Sequence, residues 1–415
     1  MSKQTYTPAG TQDHLPWLDG LRGIAALWVL ASHVQILTGL RNIPVLSWGG
    51  VAVDLFMLLS GFLMAHNYFL RQRSEPWESP RTFFLFWLRR FFRIAPLYYV
   101  LLIVAFSVGA LLAQDRMTIA ALWPSTASPL QRYLDGSAAN YLTHLSFLFG
   151  LMPDYAFRTP LPDWSIGLEM QFYLVFPFIM LALARLGPLL TTLAVLAVCV
   201  VARLCFPEYF QRFEMPAFIA MKLYVFMAGI WIAVARKQKS MTLSMLAGLG
   251  IMLVWALADR TFHVWEPRAM TVGRLLIVAA MFYLMNNGTL PGSMLLQKPT
   301  AFLRAWLSGR VARFLGDTSY CAYLLHLLIV LPVAGALARN AQYIAMPAAL
   351  RFLLALALIL PPVYLLSWGL FHTVEKFGIH MGRVLVRKLS RGTPRGAALP
   401  GESGAGDKAA HGIPR

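Results

Sequence analysis

The chain has 415 residues, of which 58% are hydrophobic and 13% charged, and its mean hydropathy is +0.60. A soluble domain is nearer half apolar and a quarter charged, so this composition excludes an ordinary soluble globular protein. The formal net charge of +18 does not indicate nucleic-acid binding, because the basic residues stand in short segments between long apolar runs. The positive-inside rule explains that placement without any partner.

About ten apolar runs of bilayer-spanning length follow one another along the chain. They predict an all-α, polytopic transmembrane helical bundle with spans at 18–38, 49–70, 96–114, 164–184, 188–206, 216–235, 241–258, 269–287, 314–335 and 347–371. A shorter apolar stretch at 141–152 predicts an interfacial helix or a re-entrant segment. The predicted domains are a cytoplasmic N-terminal segment (1–17), a transmembrane domain (18–377) and a basic, disordered cytoplasmic tail (378–415).

Clusters of Lys and Arg set the predicted orientation. They lie between the second and third spans, after the sixth, before the ninth and after the tenth. With ten spans all these segments fall on one side, so we expect a multi-pass protein of the inner (cytoplasmic) membrane with both termini in the cytoplasm. The polar N-terminus lacks the features of a cleaved signal peptide. The cysteines Cys199, Cys205 and Cys321 have no metal-ligand spacing, so we expect neither a disulfide framework nor a metal site.

Several predicted spans carry ionisable residues, which are functional candidates because charge is costly in the hydrocarbon core. Arg22 and His33 lie on the first span, Asp54 on the second, Glu169 on the fourth and His326 on the ninth. The spacing of Arg22 and His33 predicts nearly the same helix face, with a rise of ~16 Å between them. The structural alternatives are an interhelical hydrogen-bond donor for His33 and a partner of a buried cation or a backbone amide for Asp54.

Two chemistries fit these residues from spacing alone. One is a proton relay in a transporter, and the other is a general base with an orienting carboxylate. The basic, aromatic segment with Arg89, Arg90 and Arg93 is also open to two interpretations. It is either a topology anchor that snorkels to the headgroups or a binding site for an anionic cofactor, since guanidinium groups pair well with phosphates.

Six motifs in order resemble those of membrane-bound acyltransferase family 3, between about Leu18 and Phe377. They are LDGLRGIAAL from Leu18 with His33 after it, GVAVDLFMLLSGFL from Gly50, RRFFRIAPLY from Arg89, WSIGLEMQFY from Trp164, SYCAYLLH from Ser319, and VEK from Val374. Each motif alone is weak. Their common order, on spans whose number and orientation fit, makes the resemblance specific.

The resemblance implies an O-acyltransferase that transfers groups other than aminoacyl groups. The donor that it implies is a cytoplasmic acyl-CoA, usually acetyl-CoA, which would serve as co-substrate without a permanently bound cofactor. The acceptor that it implies is a hydroxyl of a cell-surface glycan or lipid-linked saccharide. The implied site has three parts: catalytic His33, Glu169 and Arg22; acyl-CoA-binding Arg22, Arg89, Arg90 and Arg93; and substrate-binding Asp54, Trp164, Ser165, Tyr173, Ser319, Tyr320 and His326.

Some family members carry a C-terminal hydrolase-like domain that completes the transfer outside the membrane. This chain has a short tail there, so we expect it to finish the reaction alone or with a separate acyltransferase outside the membrane. Two other classes stay open. A secondary transporter or flippase for a glycan or lipid precursor would move substrate without consuming acyl-CoA. A membrane sensor or scaffold would keep its output when His33 is replaced.

Overall fold

The computed structural model describes residues 15–391 except 42, 73–78, 239, 262–267, 286–289 and 291. Over these ranges the chain is built from helices and turns, with no β-strand. The helices are α1 (Pro16–Leu37), α2 (Gly49–Arg71), α3 (Pro80–Ser107), α4 (Gly109–Leu122), α5 (Gln131–Leu134), α6 (Ala138–Leu145), α7 (Trp164–Cys205), α8 (Pro207–Gln211), α9 (Ile219–Gln238), α10 (Met241–Thr261), α11 (Arg268–Met285), α12 (Ser293–Leu307), α13 (Arg310–Asp317), α14 (Ser319–Ala338), α15 (Ala341–Ala345), α16 (Ala348–Leu370) and α17 (Lys376–Arg391).

Seven helical segments among the described residues are long and apolar enough to span a bilayer. One of them, α7, has 42 residues and contains Gly187 at φ 78° and ψ 168°, directly before Pro188. Glycine tolerates this backbone conformation, and the break divides α7 into two segments that correspond to the fourth and fifth predicted spans. The shorter apolar segments Met241–Leu257 and Ala269–Met285 stand where the seventh and eighth were predicted. The all-α, polytopic bundle is therefore confirmed.

Helix α9 lies in the centre of the bundle, and every residue from Ala220 to Ala235 is buried. It packs against α2, α7 and α10. The contact with α2 is close because two glycines face the partner backbone. A Cβ on Gly61 would lie 2.2 Å from the Phe226 carbonyl oxygen, and one on Gly229 would lie 2.1 Å from that of Leu58. Small residues at such crossings are what lets helices approach in a membrane.

Helix α3 corrects one sequence-based prediction. Residues Arg89, Arg90 and Arg93 were placed in a loop before a third span starting at 96, but a single helix runs from Pro80 to Ser107. Proline suits the first turn of a helix because that turn needs no N–H donor. The following run of aromatic and basic residues contains no glycine to end the helix, so the arginines become part of it.

The predicted segments at the two ends are only partly described. Residues 1–14 of the N-terminal segment and 392–415 of the tail lie outside the described residues. The part of the tail that is described is helical rather than disordered, because a π-helical turn at Phe371–Glu375 leads from α16 directly into α17. The apolar stretch at 141–152 forms the end of α6 and a 3₁₀ turn at Leu148–Leu151, on the long connection between α4 and α7.

Candidate active site

A narrow cavity of about 40 Å³ lies between α1, α2, α7, α9 and α14. Its polar lining comes from residues far apart in the chain: Arg22, Ser60, Ser165, Glu169, Tyr320 and Tyr323. Apolar residues of α2 and α9, such as Phe56 and Phe226, complete the wall. Convergent polar groups in a mostly apolar cavity mark it as the default candidate for a binding or catalytic site.

Glu169 is held by two hydroxyl groups. Its Oε1 accepts a hydrogen bond from Ser60 Oγ at 3.0 Å and another from the hydroxyl of Tyr173, one turn further along α7. Hydrogen bonds to a carboxylate are stronger than those between neutral groups. The contact with Tyr173 follows from helical spacing, whereas the contact with Ser60 joins α7 to α2 and was not predicted.

The arginines predicted to bind acyl-CoA lie near one another, and two of them, Arg22 and Arg90, lie near the carboxylate of Glu169. Arg22 lines the cavity and interacts electrostatically with both Arg93 and Glu169. The guanidinium of Arg90 lies 5.6 Å from the centroid of the Phe86 ring and 5.8 Å from that of the Tyr173 ring. Arg90 also interacts electrostatically with Arg89, Arg93 and Glu169. Within the described ranges, the buried Arg90 Nε has no hydrogen-bond partner. This end of the cavity is therefore strongly basic.

His33 does not line the cavity but lies beside it, paired with His326. His326 Nε2 is 3.2 Å from His33 Nδ1, and the two ring centroids are 4.9 Å apart. Each imidazole also contacts a carbonyl of its own helix: His33 Nδ1 is 2.9 Å from Val29 O, and His326 Nδ1 is 2.6 Å from Tyr323 O. Glu169 was a candidate for orienting either His33 or a hydroxyl of the sugar acceptor. The structure instead pairs Glu169 with Ser60 and Tyr173, and His33 with His326.

Tyr323 connects the cavity to the histidine pair. Its hydroxyl donates to Pro162 O at 3.0 Å and lies 2.7 Å from Ser165 Oγ. Its ring lines the cavity, and its carbonyl accepts from His326 one turn further along α14. Sequence reasoning quoted Tyr323 within a motif without assigning it a role. Its position three residues before His326, on the same helix face, was the available signal.

The remaining predicted residues of this region differ in their exposure to the cavity. Tyr320 lines it, although its hydroxyl donates to Ile94 O at 2.9 Å. Ser319 Oγ donates to Gly316 O at 2.7 Å and so closes the turn before α14. Trp164 is the first residue of α7 and packs against the hydrophobic core. Tyr320 and Ser165 thus stay candidates for substrate contact on geometric grounds, whereas Ser319 and Trp164 have structural contacts.

Asp54 lies outside this cavity, in a buried ion cluster. Its Oδ1 is 3.1 Å from Lys222 Nζ on α9, and its Oδ2 is 2.5 Å from Arg274 Nε on α11. The side chains of the three residues are at most 6% exposed. The structural alternative considered for Asp54, a partner of a buried cation, is the arrangement observed. Sequence reasoning did not single out Lys222, although a lysine within an apolar run is itself a signal.

A second polar cluster surrounds Asp163, the residue before α7. Its Oδ2 accepts from Thr159 at 2.8 Å and from Tyr98 at 3.2 Å, and lies 3.7 Å from Nε2 of the buried His144. Burial raises the pKa of Asp163 and lowers the pKa of His144, in each case favouring the neutral form. Nearby, Arg132 Nε donates to Thr159 O at 2.9 Å. The cluster anchors the connection that leads into the Trp164–Tyr173 motif.

Comparisons with known proteins agree with the motifs. Residues 15–368 match the family model described as an acyltransferase domain. The chain is similar to acyltransferase MdmB of Streptomyces mycarofaciens, at 29% identity over 388 residues that cover 87% of this chain and 90% of that protein. It is also similar to peptidoglycan O-acetyltransferase OatA of Listeria monocytogenes, at 28% identity over 187 residues that cover 42% of this chain and 25% of that protein.

No solved structure matches the chain significantly. The family match nevertheless extends over most of the chain, from the start of α1 to the end of α16, and includes both the cavity and the histidine pair. The apolar helices are those of a multi-pass membrane protein. The chain therefore belongs to the membrane-bound acyltransferase family 3.

Proposed function

We propose that the protein moves an acyl group, with acetyl as the expected group, from cytoplasmic acyl-CoA to a hydroxyl of a cell-surface glycan or lipid-linked saccharide. The protein lies in the inner membrane with both termini in the cytoplasm, as the distribution of Lys and Arg predicts. One observation carries the proposal: the cavity is lined by both Arg22 and Tyr323, and the carbonyl oxygen of Tyr323 contacts His326 of the histidine pair.

The basic end is suited to the phosphates of acyl-CoA. Arg22, Arg89, Arg90 and Arg93 provide guanidinium groups, which pair with phosphate oxygens through parallel N–H donors. Arg22 and Tyr323 both line the narrow cavity. Because the pantetheine arm of coenzyme A is long and thin, phosphates bound near Arg22 allow the thioester to approach His33, which is ~16 Å further along α1.

His33 then acts as the general base. It accepts the proton of the acceptor hydroxyl while the hydroxyl oxygen attacks the thioester carbonyl carbon. The new C–O bond forms, the C–S bond breaks, and the coenzyme A thiolate takes the proton back from His33. No further reactant is required. Glu169 keeps its place among Ser60, Tyr173 and the arginines, where it balances part of their charge.

A saccharide is the acceptor that the comparisons favour. The name of the relative OatA gives peptidoglycan as its target, although the similarity covers 25% of that protein. Transfer takes place directly or through a separate acyltransferase outside the membrane, and both routes end in an ester on a sugar hydroxyl. The acceptor is therefore best identified by the ester that the protein leaves behind.

The first test is deletion of the gene in its host, followed by complementation with wild type, His33→Ala or the exposed control His380→Ala at matched membrane abundance. Ester-linked acyl groups on isolated glycans and lipids are then measured by NMR and mass spectrometry. We expect an ester to disappear on deletion and to return with wild type and His380→Ala only. Full restoration by His33→Ala would contradict the catalytic assignment, and an unchanged ester profile after deletion would contradict the proposed function.

The donor is tested with membrane vesicles from the same strains. Radiolabelled acetyl-CoA added on the cytoplasmic side should label the acceptor fraction in wild-type vesicles and not in those with His33→Ala. Movement of an unlabelled glycan precursor across the vesicle without label incorporation would instead identify a transporter.

A further inference from the structure

The hydrogen-bond partners of His33 and His326 determine which ring nitrogen of each carries a proton. A carbonyl oxygen can accept a hydrogen bond but cannot donate one. His326 Nδ1 is 2.6 Å from Tyr323 O, and His33 Nδ1 is 2.9 Å from Val29 O. Both Nδ1 atoms must therefore be protonated, an assignment that rests on these partners.

The contact between the two rings then has one direction. In the neutral form His326 has a lone pair on Nε2, which lies 3.2 Å from the protonated Nδ1 of His33. The reverse arrangement would put a lone pair on His33 Nδ1, facing the carbonyl oxygen of Val29 at 2.9 Å. That contact would be repulsive. The N–H of His33 is thus shared between Val29 O and His326 Nε2, and its own Nε2 keeps a lone pair.

We propose that His326 is the positioning residue of His33. It holds His33 in the tautomer whose Nε2 can accept a proton, and its own Nε2 accepts a hydrogen bond from the imidazolium that forms during the reaction. This inference rests on the proposed function, in which His33 is the base. His326 is fully buried, and its ring is held in turn by the Tyr323 carbonyl on the same helix.

The proton of the step passes from the acceptor hydroxyl to His33 and then to the departing thiolate, while His326 only accepts a hydrogen bond. The acceptor O–H gives its proton to His33 Nε2 as the C–O bond forms. The positive charge on the His33 ring strengthens the hydrogen bond from its Nδ1–H to His326 Nε2. When the C–S bond breaks, the proton on His33 Nε2 passes to the departing thiolate, and both rings return to their starting tautomers.

The tautomers are measurable without any turnover. Full-length protein labelled with ¹⁵N-histidine and reconstituted in lipid bilayers is examined by solid-state NMR, with His33→Asn and His326→Gln used to assign the two rings. We expect both residues to be protonated at Nδ1 and unprotonated at Nε2. A His33 ring protonated at Nε2 and bare at Nδ1 would overturn the proposal, whatever the activity of the protein.

The role of His326 is tested by two substitutions that differ in acceptor capacity. His326→Gln keeps an oxygen able to accept from His33 Nδ1–H, whereas His326→Leu fills the space without an acceptor. With radiolabelled acetyl-CoA and native membranes, we expect His326→Leu to lower the maximal rate roughly 10²-fold, the lower range for loss of effective general-base catalysis. The acetyl-CoA concentration at half-maximal rate should stay unchanged, and His326→Gln should be clearly faster than His326→Leu.

Three outcomes separate the failure of this inference from the failure of its premises. If His33→Ala is inactive while His326→Leu is as fast as wild type, the positioning role is wrong and the function stands. If His326→Gln and His326→Leu unfold at the same thermal midpoint and are equally inactive, His326 does not act by accepting a hydrogen bond. If His33→Ala stays active, the catalytic assignment of His33 fails, and the positioning role of His326 fails with it. His380→Leu, an exposed histidine replacement on α17, is the control.

Discussion

Two tyrosines of the bundle have buried hydroxyl groups, and these groups differ in whether they are paired. The hydroxyl of Tyr323 contacts Pro162 O and Ser165 Oγ, which ties α14 to the start of α7. The hydroxyl of Tyr364 on α16 has no hydrogen-bond partner among the described residues. A buried polar group stabilises the fold only when it is paired, so the same substitution should act differently at the two sites.

Tyr323→Phe is expected to lower the free energy of unfolding by about 1–3 kcal/mol, because two hydrogen bonds are lost and the Pro162 carbonyl loses its donor. Tyr364→Phe should be neutral or stabilising, since it removes an unpaired hydroxyl. Thermal unfolding of the reconstituted proteins measures both changes. Equal midpoints for the two variants would show that the Tyr323 hydroxyl does not hold α7 to α14.

The buried His144 predicts a pH dependence of stability. Its pKa in the folded protein lies below the ordinary value of 6.5, so below pH 6.5 the unfolded chain takes up a proton that the folded chain does not. Stability contributed by His144 is therefore complete above pH 6.5 and is lost as the pH falls towards the folded pKa, by at most about 1.4 kcal/mol per pH unit. The pKa of Asp163 is raised above its ordinary value of 3.8, so its effect on stability has the opposite pH dependence. Stability contributed by Asp163 is complete below pH 3.8 and is lost as the pH rises towards its pKa in the folded protein.

The His144 contribution is the difference between the thermal midpoints of wild type and His144→Gln, measured across this pH range. We expect the difference to shrink as the pH falls, because the glutamine does not titrate. A constant difference would mean that His144 is protonated in the folded protein as readily as in the unfolded chain.

At the scale of helices, the crossing of α2 and α9 depends on Gly61 and Gly229, each of which faces the backbone of the other helix. Gly61→Ala is expected to cost about 1–3 kcal/mol of stability or more, because the new methyl group would lie 2.2 Å from the Phe226 carbonyl oxygen and the helices must separate. Gly250→Ala on α10 is the matched control, since a Cβ there meets no atom within 4 Å. A Gly61→Ala protein as stable as the control would contradict this close crossing.

The ion cluster of Asp54, Lys222 and Arg274 connects α2, α9 and α11. Asp54→Asn removes the carboxylate from two buried cations, and breaking a buried ion pair in this way costs about 3–5 kcal/mol. We expect less folded protein in the membrane and a lower thermal midpoint, with ester formation per folded molecule unchanged. A protein of normal stability that has lost its activity would instead support the substrate-binding role predicted from the sequence.

For the molecule as a whole, the distribution of Lys and Arg predicts which ends of the bundle face the cytoplasm. Single cysteines at the exposed positions Glu208 and Lys388 test it, in a protein without the exposed Cys205. A membrane-impermeant maleimide should label Glu208→Cys in intact cells and Lys388→Cys only after the membrane is opened. The reverse labelling pattern would invert the orientation and place the arginine cluster away from cytoplasmic acyl-CoA.

The all-helical, polytopic fold followed from the sequence because a bilayer-spanning segment must satisfy its own backbone hydrogen bonds. The same argument identified Arg22, His33, Glu169 and His326 as candidates, since ionisable groups are rare in apolar helices. Local pattern was less informative where it had to locate a helix start, as at α3. The basic residues that suggested a loop are helical there.

Only the tertiary structure decided which candidates meet. His33 pairs with His326, Glu169 with Ser60 and Tyr173, and Asp54 with two cations outside the cavity. Spacing along a helix determines which residues share a face of that helix. It does not determine which neighbouring helix that face is turned towards. Rotation and depth come from packing between segments far apart in the chain, such as the glycine contacts of α2 with α9, and these contacts exist only once the bundle has assembled.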